Sequence, residues 1–136
     1  MVVEEIMTKD PTTVDAAAAI RDVISVLFEL DVRHLPVVDG KTLVGIISDR
    51  DVRAFLAPTI VELENPEEIA QRLLQPIGSV MSSDVLSVDA EMELSDLVDL
   101  MLDHKVGAVP VVDPESDELV GIVSYVDVLR AAQDKL

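Results

Sequence analysis

Two serine–aspartate pairs have a spacing that suits the binding of neighbouring hydroxyl groups. Ser48 and Asp51 lie three residues apart, and Ser124 and Asp127 repeat that arrangement. An ionised carboxylate at the start of a helix accepts two hydroxyls at once through charge-assisted hydrogen bonds. The same spacing is typical of a capping box, in which a serine and an acid satisfy the first amide groups of a helix. The residues alone leave both interpretations open, and the two roles can coexist.

Basic residues of the first half are candidates for holding a phosphate. We select Arg33 and Arg50, because a guanidinium matches a phosphate with two parallel hydrogen bonds, and His34, because it lies beside Arg33. The first half of the chain contains six of the ten basic residues, namely Lys9, Arg21, Arg33, Lys41, Arg50 and Arg53. The second half has Gly107 and Ala108 where the first has Arg33 and His34. The first half is therefore better suited to bind an anion. The alternative is that its arginines only pair with neighbouring acids.

The sequence carries no motif of nucleophilic, metal-dependent or phosphate-cradling catalysis. It has no cysteine, two histidines and one tyrosine, which leaves few groups for acid–base chemistry near neutral pH. Acidic pairs such as Asp49 and Asp51 lack the spacing of a calcium-binding loop. We therefore expect no enzyme activity, no metal site and no required cofactor.

The composition excludes two classes of partner. The chain has 136 residues, a formal net charge of −17 and 2% aromatic residues. Nucleic-acid binding needs basic residues that displace counterions and aromatic rings that stack on bases, so nucleic acid is excluded. No apolar run approaches the roughly 20 residues of a membrane span, and the N-terminus lacks the basic and apolar regions of a secretory signal. We expect a cytoplasmic protein without a membrane partner.

The acidic residues are expected to coat a folded body. Hydrophobic residues make up 49% of the chain, whereas disorder needs low hydrophobicity alongside high charge. Aspartate outnumbers glutamate, and only four residues are lysine. This pattern favours a halophilic source, where salt screens the self-repulsion of the acids. An acidic protein from an ordinary cytoplasm is the alternative.

An internal repeat organises the chain. Pro36-Val37-Val38-Asp39 recurs 74 residues later as Pro110-Val111-Val112-Asp113. Leu43-Val44-Gly45-Ile46 recurs 76 residues later as Leu119-Val120-Gly121-Ile122. The shift grows because the loop between these motifs is two residues longer in the second half. The chain therefore consists of two homologous halves.

The repeat sets the predicted boundaries of the chain. We predict a first repeat at residues 1–57, a helical linker at 58–77 and a second repeat at 78–136. Asn65-Pro66 predicts the start of the linker helix, because proline is favoured in the first turn, and we expect its end near Leu74.

Each repeat has the pattern of a β-α-β-β-α unit. Apolar residues at helical spacing, such as Ile20, Val23 and Leu27, predict a helix, and two β-branched runs joined by a tight loop predict a hairpin. We expect Asp15 and Asp89 to cap the helices that follow them. The predicted fold is α/β (α+β), with two tandem repeats packed by pseudo-two-fold symmetry and clefts at their junction.

A glycine interrupts the last strand of each predicted hairpin. Gly45 and Gly121 are each followed by two apolar residues and a serine. Glycine at such a position permits either close packing of the protein's own backbone or the close approach of a flat ligand ring. The sequence leaves these two explanations equal.

The duplicated motif resembles the CBS-domain family, which is named for cystathionine β-synthase. In both halves Pro-Val-Val-Asp precedes Leu-Val-Gly-Ile-x-Ser-x-x-Asp-Val, and the resemblance covers nearly the whole chain. Paired domains of this family form a Bateman module. The resemblance implies a non-catalytic regulatory module that binds AMP, ADP, ATP, S-adenosylmethionine or NAD in clefts between the repeats. The module would then signal to a partner protein.

The resemblance also assigns roles to residues. It implies that the ribose is held by Ser48, Asp51, Ser124 and Asp127. It places the base walls at Thr13, Val14, Ile46, Ser87, Val88 and Ile122, and it puts Arg33 and His34 near the base or phosphate. It further implies a homodimer and a protein partner that the sequence does not identify. The alternative function is a structural or dimerisation module without a physiological nucleotide.

Overall fold

The computed structural model describes residues 1–30, 32–62 and 65–136, with the side chains of residues 57–62 excepted. In the first half, 3₁₀ turn Val3–Glu5 precedes β1 (Thr8–Lys9), β2 (Val14–Asp15), α1 (Ile20–Leu30), β3 (His34–Asp39), β4 (Thr42–Ser48) and α2 (Asp49–Glu62). The remainder contains α3 (Pro66–Leu73), 3₁₀ turn Ile77–Ser79, α4 (Leu94–His104), β5 (Ala108–Val112), β6 (Leu119–Ser124) and α5 (Tyr125–Gln133). The predicted α+β fold is confirmed, with a bridge between Val88 and Val111 in the place that β2 takes in the first half.

The chain forms two compact units, and each unit combines segments that are separated in the sequence. The α1 unit contains Thr12–Gly40 and Val44–Val85. The α4 unit contains Met1–Pro11, Lys41–Leu43 and Leu86–Leu136. The predicted repeat boundaries follow the order of the chain, whereas each unit combines segments that are far apart in sequence.

The α1 unit contains a sheet with the strand order β2-β3-β4. Strands β2 and β3 are parallel, and Val14 pairs with Val37. Helix α1 buries Ile20, Val23 and Leu27 against this sheet, because residues spaced by three and four share one helix face. Ile77, from the 3₁₀ turn after α3, completes the core and is fully buried.

The α4 unit contains an antiparallel sheet with the strand order β1-β6-β5. Its core includes Leu97 and Met101 from α4, and Val3 from the start of the chain. The amide of Leu119 donates to the carbonyl of Lys41 at 3.0 Å, which places the Lys41–Leu43 segment in this unit.

Two helix boundaries bear on the sequence predictions. The side chain of Asn65 accepts the amide of Glu67 at 2.9 Å and Pro66 begins α3, so the predicted start of the linker helix is confirmed. Helix α2 has 14 residues and ends at Glu62, which lies within the segment predicted as the linker, residues 58–77. Among the described residues, no helix has the length and apolar character that crossing a bilayer requires.

The prediction that Asp15 and Asp89 cap helices was wrong. The side chain of Asp15 accepts the amide of Ala17 at 2.8 Å, and that of Asp89 accepts the amide of Glu91 at 3.0 Å. These are local turns in which an aspartate binds the backbone two residues ahead. The helices begin later, and the cap of α4 is Glu93, whose side chain makes no capping hydrogen bond.

Candidate ligand site

The first serine–aspartate pair is a capping box at the start of α2. The amide of Ser48 donates to Oδ2 of Asp51 at 3.0 Å, and the amide of Asp51 donates to Oγ of Ser48 at 3.1 Å. Ser48 ends β4 and Asp51 lies in the first turn of α2, so the strand delivers both groups to one point. Both side chains are partly buried.

The second pair repeats this geometry at the start of α5. The amide of Ser124 donates to Oδ2 of Asp127 at 2.8 Å, and the amide of Asp127 donates to Oγ of Ser124 at 3.3 Å. The hydroxyl of Ser124 lies 3.1 Å from the same carboxylate oxygen. The capping interpretation is therefore confirmed in both units.

Capping leaves part of each carboxylate available. Within the part of the chain that the structure describes, every hydrogen bond to Asp51 and Asp127 uses Oδ2, and Oδ1 accepts none. A carboxylate has about four lone-pair sites, so each aspartate retains capacity for two further donors. The box also holds each side chain in one orientation. A ligand with two adjacent hydroxyls meets an acceptor that is already positioned.

The two strand glycines are explained by packing of the protein against itself. A Cβ at Gly45 would collide with the side chain of Met81 and lie 3.0 Å from the carbonyl oxygen of Ser82. A Cβ at Gly121 would lie 2.9 Å from the carbonyl oxygen of Thr8 and also press on a methionine, Met7. In each unit the segment packed beside the glycine, residues 81–82 in the α1 unit and residues 7–8 in the α4 unit, therefore makes the close approach that requires glycine.

The residues predicted to line the base differ in exposure. Thr13 and Ser87 are exposed, whereas Ile46 and Ile122 are half-buried. Val14 and Val88 are only 8% and 4% exposed, and their side chains pack in the cores. Only the main chain at these two valines is placed to line a ligand.

Arg33 and His34 lie beside the start of α2, where the amide of Asp49 donates to the carbonyl of Arg33 at 2.9 Å. Burial lowers the pKa of His34 below its ordinary value, and this effect outweighs the attraction of Asp49 and Asp51. His34 is therefore a neutral imidazole at pH 7. It would meet a phosphate through a hydrogen bond rather than through a full charge.

Arg53 is engaged by a neighbouring acid. Its guanidinium lies 2.7 Å from Oδ2 of Asp49. Burial raises the pKa of Asp49, but the hydrogen bond and charge of Arg53, with help from Arg50 and Arg33, lower it overall. Among the described residues, Arg33 and Arg50 form no ion pair.

Helix α2 separates two cavities of the α1 unit. A groove of about 330 Å³ lies on its α1-facing side and includes Arg33, Asp49 and Arg53 in its lining. A more open cavity of about 420 Å³ lies on another side and includes Asp51 and Arg72. The structure therefore brings Asp51 together with Arg72, and it places Arg33 in the other cavity.

Sequence reasoning missed Arg72. The only local signal was a basic residue in the last turn of a predicted helix, where it is favoured by the helix dipole. Arg72 is 21 residues from Asp51 in the sequence, and no periodicity connects the two.

The division into units also changes the distribution of basic residues. Lys9 and Lys41 belong to the α4 unit, although they lie in the first half of the sequence. Five basic residues lie in each unit: Arg21, Arg33, Arg50, Arg53 and Arg72 in the α1 unit, and Lys9, Lys41, Lys105, Arg130 and Lys135 in the α4 unit. Of the six basic residues in the first half, only the four arginines belong to the α1 unit.

A family comparison identifies the repeated unit. The family model of the CBS domain matches residues 3–58 and again residues 77–134. The chain belongs to the CBS domain family. Both CBS matches contain one serine–aspartate pair and one of the two strand glycines.

Solved CBS pairs resemble the whole chain. The CBS domain pair of protein MJ0100, in complex with 5′-methylthioadenosine and S-adenosyl-L-methionine, is 26% identical with a TM-score of 0.82, over 100% of this chain and 98% of that chain. CBSX2 in complex with AMP is 32% identical with a TM-score of 0.81, over 98% of this chain and 96% of that chain.

A curated relative places the same pair in a larger protein. Inosine-5′-monophosphate dehydrogenase of Methanocaldococcus jannaschii is 31% identical over 139 residues, which cover 97% of this chain and 25% of the relative. The chain therefore spans about a quarter of that dehydrogenase.

Proposed function

We propose that this chain is a non-catalytic regulatory module of the cytoplasm that binds an adenosine-containing ligand and signals to a partner protein. The candidate ligands are AMP, ADP, ATP, S-adenosylmethionine and NAD, and the module needs no cofactor. The observation that carries the proposal is the pair of aspartates, each held by a capping box and each with Oδ1 unoccupied among the described contacts. Complexes of related CBS pairs with AMP and with S-adenosyl-L-methionine support this class of ligand.

The proposed contact is with the ribose. The two ribose hydroxyls donate to the carboxylate of Asp51 in the α1 unit or Asp127 in the α4 unit. Such charge-assisted bonds are about twice as strong as bonds between neutral groups. The base would lie along main chain near Thr13 or Ser87 and against Ile46 or Ile122.

Ligand binding would act on a conformational equilibrium. A ligand shifts an equilibrium only by its differential affinity for the two states. A site whose walls come from several segments of the chain offers such a difference, because movement of one segment changes the fit. A partner protein would then respond to the state that the ligand favours.

Calorimetric titration tests this proposal. The protein is titrated with AMP, ATP, NAD and S-adenosylmethionine in molar KCl, since the net charge of −17 predicts adaptation to high salt. Replacement of Asp51 or Asp127 by asparagine keeps the size and one acceptor oxygen but removes the charge. We expect each substitution to weaken binding at its own site by about tenfold or more.

Asp84→Asn serves as the matched control. Asp84 is exposed and makes no side-chain hydrogen bond within the described residues, so its substitution should leave the affinity unchanged. If no ligand binds the unaltered protein, or if both site variants bind as tightly as Asp84→Asn, the proposal fails.

The second candidate function is a structural or dimerisation module. Phe28 on α1 is 79% exposed, and the residue at the same repeat position, Leu102 on α4, is 70% exposed. Contiguous exposed apolar patches mark interaction surfaces, and each of these side chains would form part of one. We propose that these faces contribute to a homodimer, which is compatible with either function.

Light scattering coupled to gel filtration tests the homodimer. Phe28→Glu and Leu102→Glu should convert a dimer to a monomer, whereas Glu29→Gln should not. A monomer of the unaltered protein at micromolar concentration would exclude the homodimer. A dimer that binds none of the four ligands would favour the structural function.

A further inference from the structure

The open cavity of about 420 Å³ beside Asp51 contains a cation that the repeated motif does not include. Its walls come from α2, from the end of α3 and from the segment after it. Pockets for small molecules have volumes of about 300–1,000 Å³, so the cavity is large enough for a ligand. Asp51 and Arg72 contribute opposite charges to one space.

Helix periodicity explains why Asp51 and Arg33 line different cavities, since α2 presents one face to each cavity. Asp51, Ala54 and Phe55 follow the spacing of one helix face and line the open cavity. Asp49, Val52 and Arg53 follow the same spacing on another face and line the groove against α1. A ligand held by Asp51 therefore meets Arg72 in the same cavity.

Arg72 is held in place by its surroundings. Its guanidinium lies 6.0 Å from the centre of the Phe55 ring, a distance at which a cation is attracted to an aromatic face. The backbone that follows is anchored, because the carbonyl of Gln75 accepts the amide of Ile20 at 2.9 Å. Ile77 then enters the core with no exposed surface.

Arg72 keeps its charge available for a ligand. In the described part of the chain it forms no ion pair, and in particular none with Asp51. The two groups thus line the same cavity without forming an ion pair with each other. In a chain with a net charge of −17, an arginine without an acidic partner among the described residues is the local feature that favours an anion.

We propose that Arg72 binds the phosphate of a nucleoside phosphate whose ribose is held by Asp51, so that the site of the α1 unit selects phosphorylated adenosine. This inference rests on the proposed function, because it needs a ribose at Asp51. It replaces the groove-lining Arg33 as the phosphate partner and makes Arg72 the residue that sets ligand specificity.

Paired titrations with AMP and adenosine test the inference at constant ionic strength. An Asp127→Asn background removes the ribose acceptor of the other unit, so that the heat of each titration measures binding at the site of the α1 unit. Arg72→Gln should weaken AMP binding by about 10- to 100-fold, the effect of losing a hydrogen bond to a charged group. It should leave adenosine binding unchanged, because adenosine has no phosphate.

Two further variants separate specific contact from general charge. Arg21→Gln removes one exposed positive charge from α1, where Arg21 faces Asp22 at 3.7 Å, and it should leave both affinities unchanged. Arg33→Gln tests the competing arginine. A selective loss of AMP binding in Arg33→Gln, with none in Arg72→Gln, would overturn the inference.

The outcomes distinguish the inference from the function on which it rests. If the unaltered protein binds neither AMP nor adenosine, the proposed function fails. If it binds both and Arg72→Gln reduces both affinities equally, the adenosine site stands and the phosphate assignment to Arg72 is wrong. Arg72→Lys, which keeps the charge without the planar fork, should retain an intermediate preference for AMP.

Discussion

Asp51 in the α1 unit and Asp127 in the α4 unit are held by the same hydrogen bonds, but different side chains surround them. The positions of Arg33, His34, Arg50 and Arg53 in the first repeat are taken by Gly107, Ala108, Val126 and Leu129 in the second. The second repeat instead has Arg130, three residues after Asp127. The two repeats thus share the carboxylate and its hydrogen bonds, whereas the basic side chains near it differ.

The largest expected effect concerns matched core residues that come from distant segments. Ile77 in the α1 unit and Val3 in the α4 unit occupy the same repeat position, and both have no exposed surface. Ile77→Ala should lower the free energy of unfolding by about 2–5 kcal/mol. Val3→Ala removes one carbon fewer and should cost about 0.8 kcal/mol less.

Urea unfolding measures these losses, and hydrogen exchange locates them in each unit. Leu74→Ala is the control, because Leu74 is 50% exposed and should lose far less. An equal loss for Ile77→Ala and Leu74→Ala would show that the segment after α3 is not part of the core.

The next largest effect is expected at the two strand glycines. Gly45→Ala and Gly121→Ala should each lower the free energy of unfolding by about 1–3 kcal/mol, since the added Cβ meets a methionine and a carbonyl. The loss should be similar in both units, because the contacts are the same. Thermal unfolding monitored by circular dichroism provides the measurement.

Met81→Ala supplies the control for the glycine comparison. In its background, Gly45→Ala keeps only the carbonyl contact with Ser82, so the added loss should be smaller than with Met81 present. A loss at Gly45 but none at Gly121 would contradict the equivalence of the two strands.

The capping serines should have a smaller effect. Ser48→Ala and Ser124→Ala each remove a side chain that accepts an amide of the first helical turn. We expect a loss of about 1 kcal/mol in the free energy of unfolding for each. Denaturant titration checks the values, with Ser83→Ala, an exposed serine outside any cap, as the control. A neutral result at either position would remove the capping role there.

The smallest effect is a difference in pH dependence between the units. The pKa of His34 is lowered by burial in the folded state, so the unfolded chain binds its proton more readily below pH 6.5. Stability should therefore decrease as the pH falls from 6.5 towards the folded pKa of His34. Ala108, which occupies the repeat position of His34 in the second repeat, does not titrate and adds no pH dependence to the stability.

His34→Ala tests this by copying the second repeat into the first. The variant should show a flatter stability profile between pH 7 and pH 5 than the unaltered protein. The window stays above the range in which Asp49, whose pKa is lowered, takes up a proton. A variant whose profile is as steep as that of the unaltered protein would show that His34 is not the titrating group.

The sequence predicted much of the fold because its signals are local. The spacing of Ile20, Val23 and Leu27 indicated helix α1, and Asn65-Pro66 indicated the start of α3. The aspartates at 15 and 89 gave a wrong helix start because an aspartate satisfies a turn as readily as a helix cap. The same ambiguity at Asp51 was resolved only by observed hydrogen bonds.

The candidate site was predictable only where the repeat marked it. Ser48 and Asp51 were visible because Ser124 and Asp127 duplicate them. Arg72 lies outside the repeated motif, so comparison of the halves gave no signal for it. Arg33 was preferred because the family resemblance implies that it lies near the base or phosphate, although the structure places it in the groove on another face of α2.

By itself, the sequence determined the duplicated order of helices and strands, the positions of the two serine–aspartate pairs and the CBS family, because these depend on residues a few positions apart. Only the tertiary structure decided that Met1–Pro11 joins the core of the second repeat, and that residues 77–85 join that of the first. It also decided that Arg72 shares a cavity with Asp51. These pairings depend on apolar surfaces of distant segments fitting together, and no local pattern of residues encodes which surfaces meet.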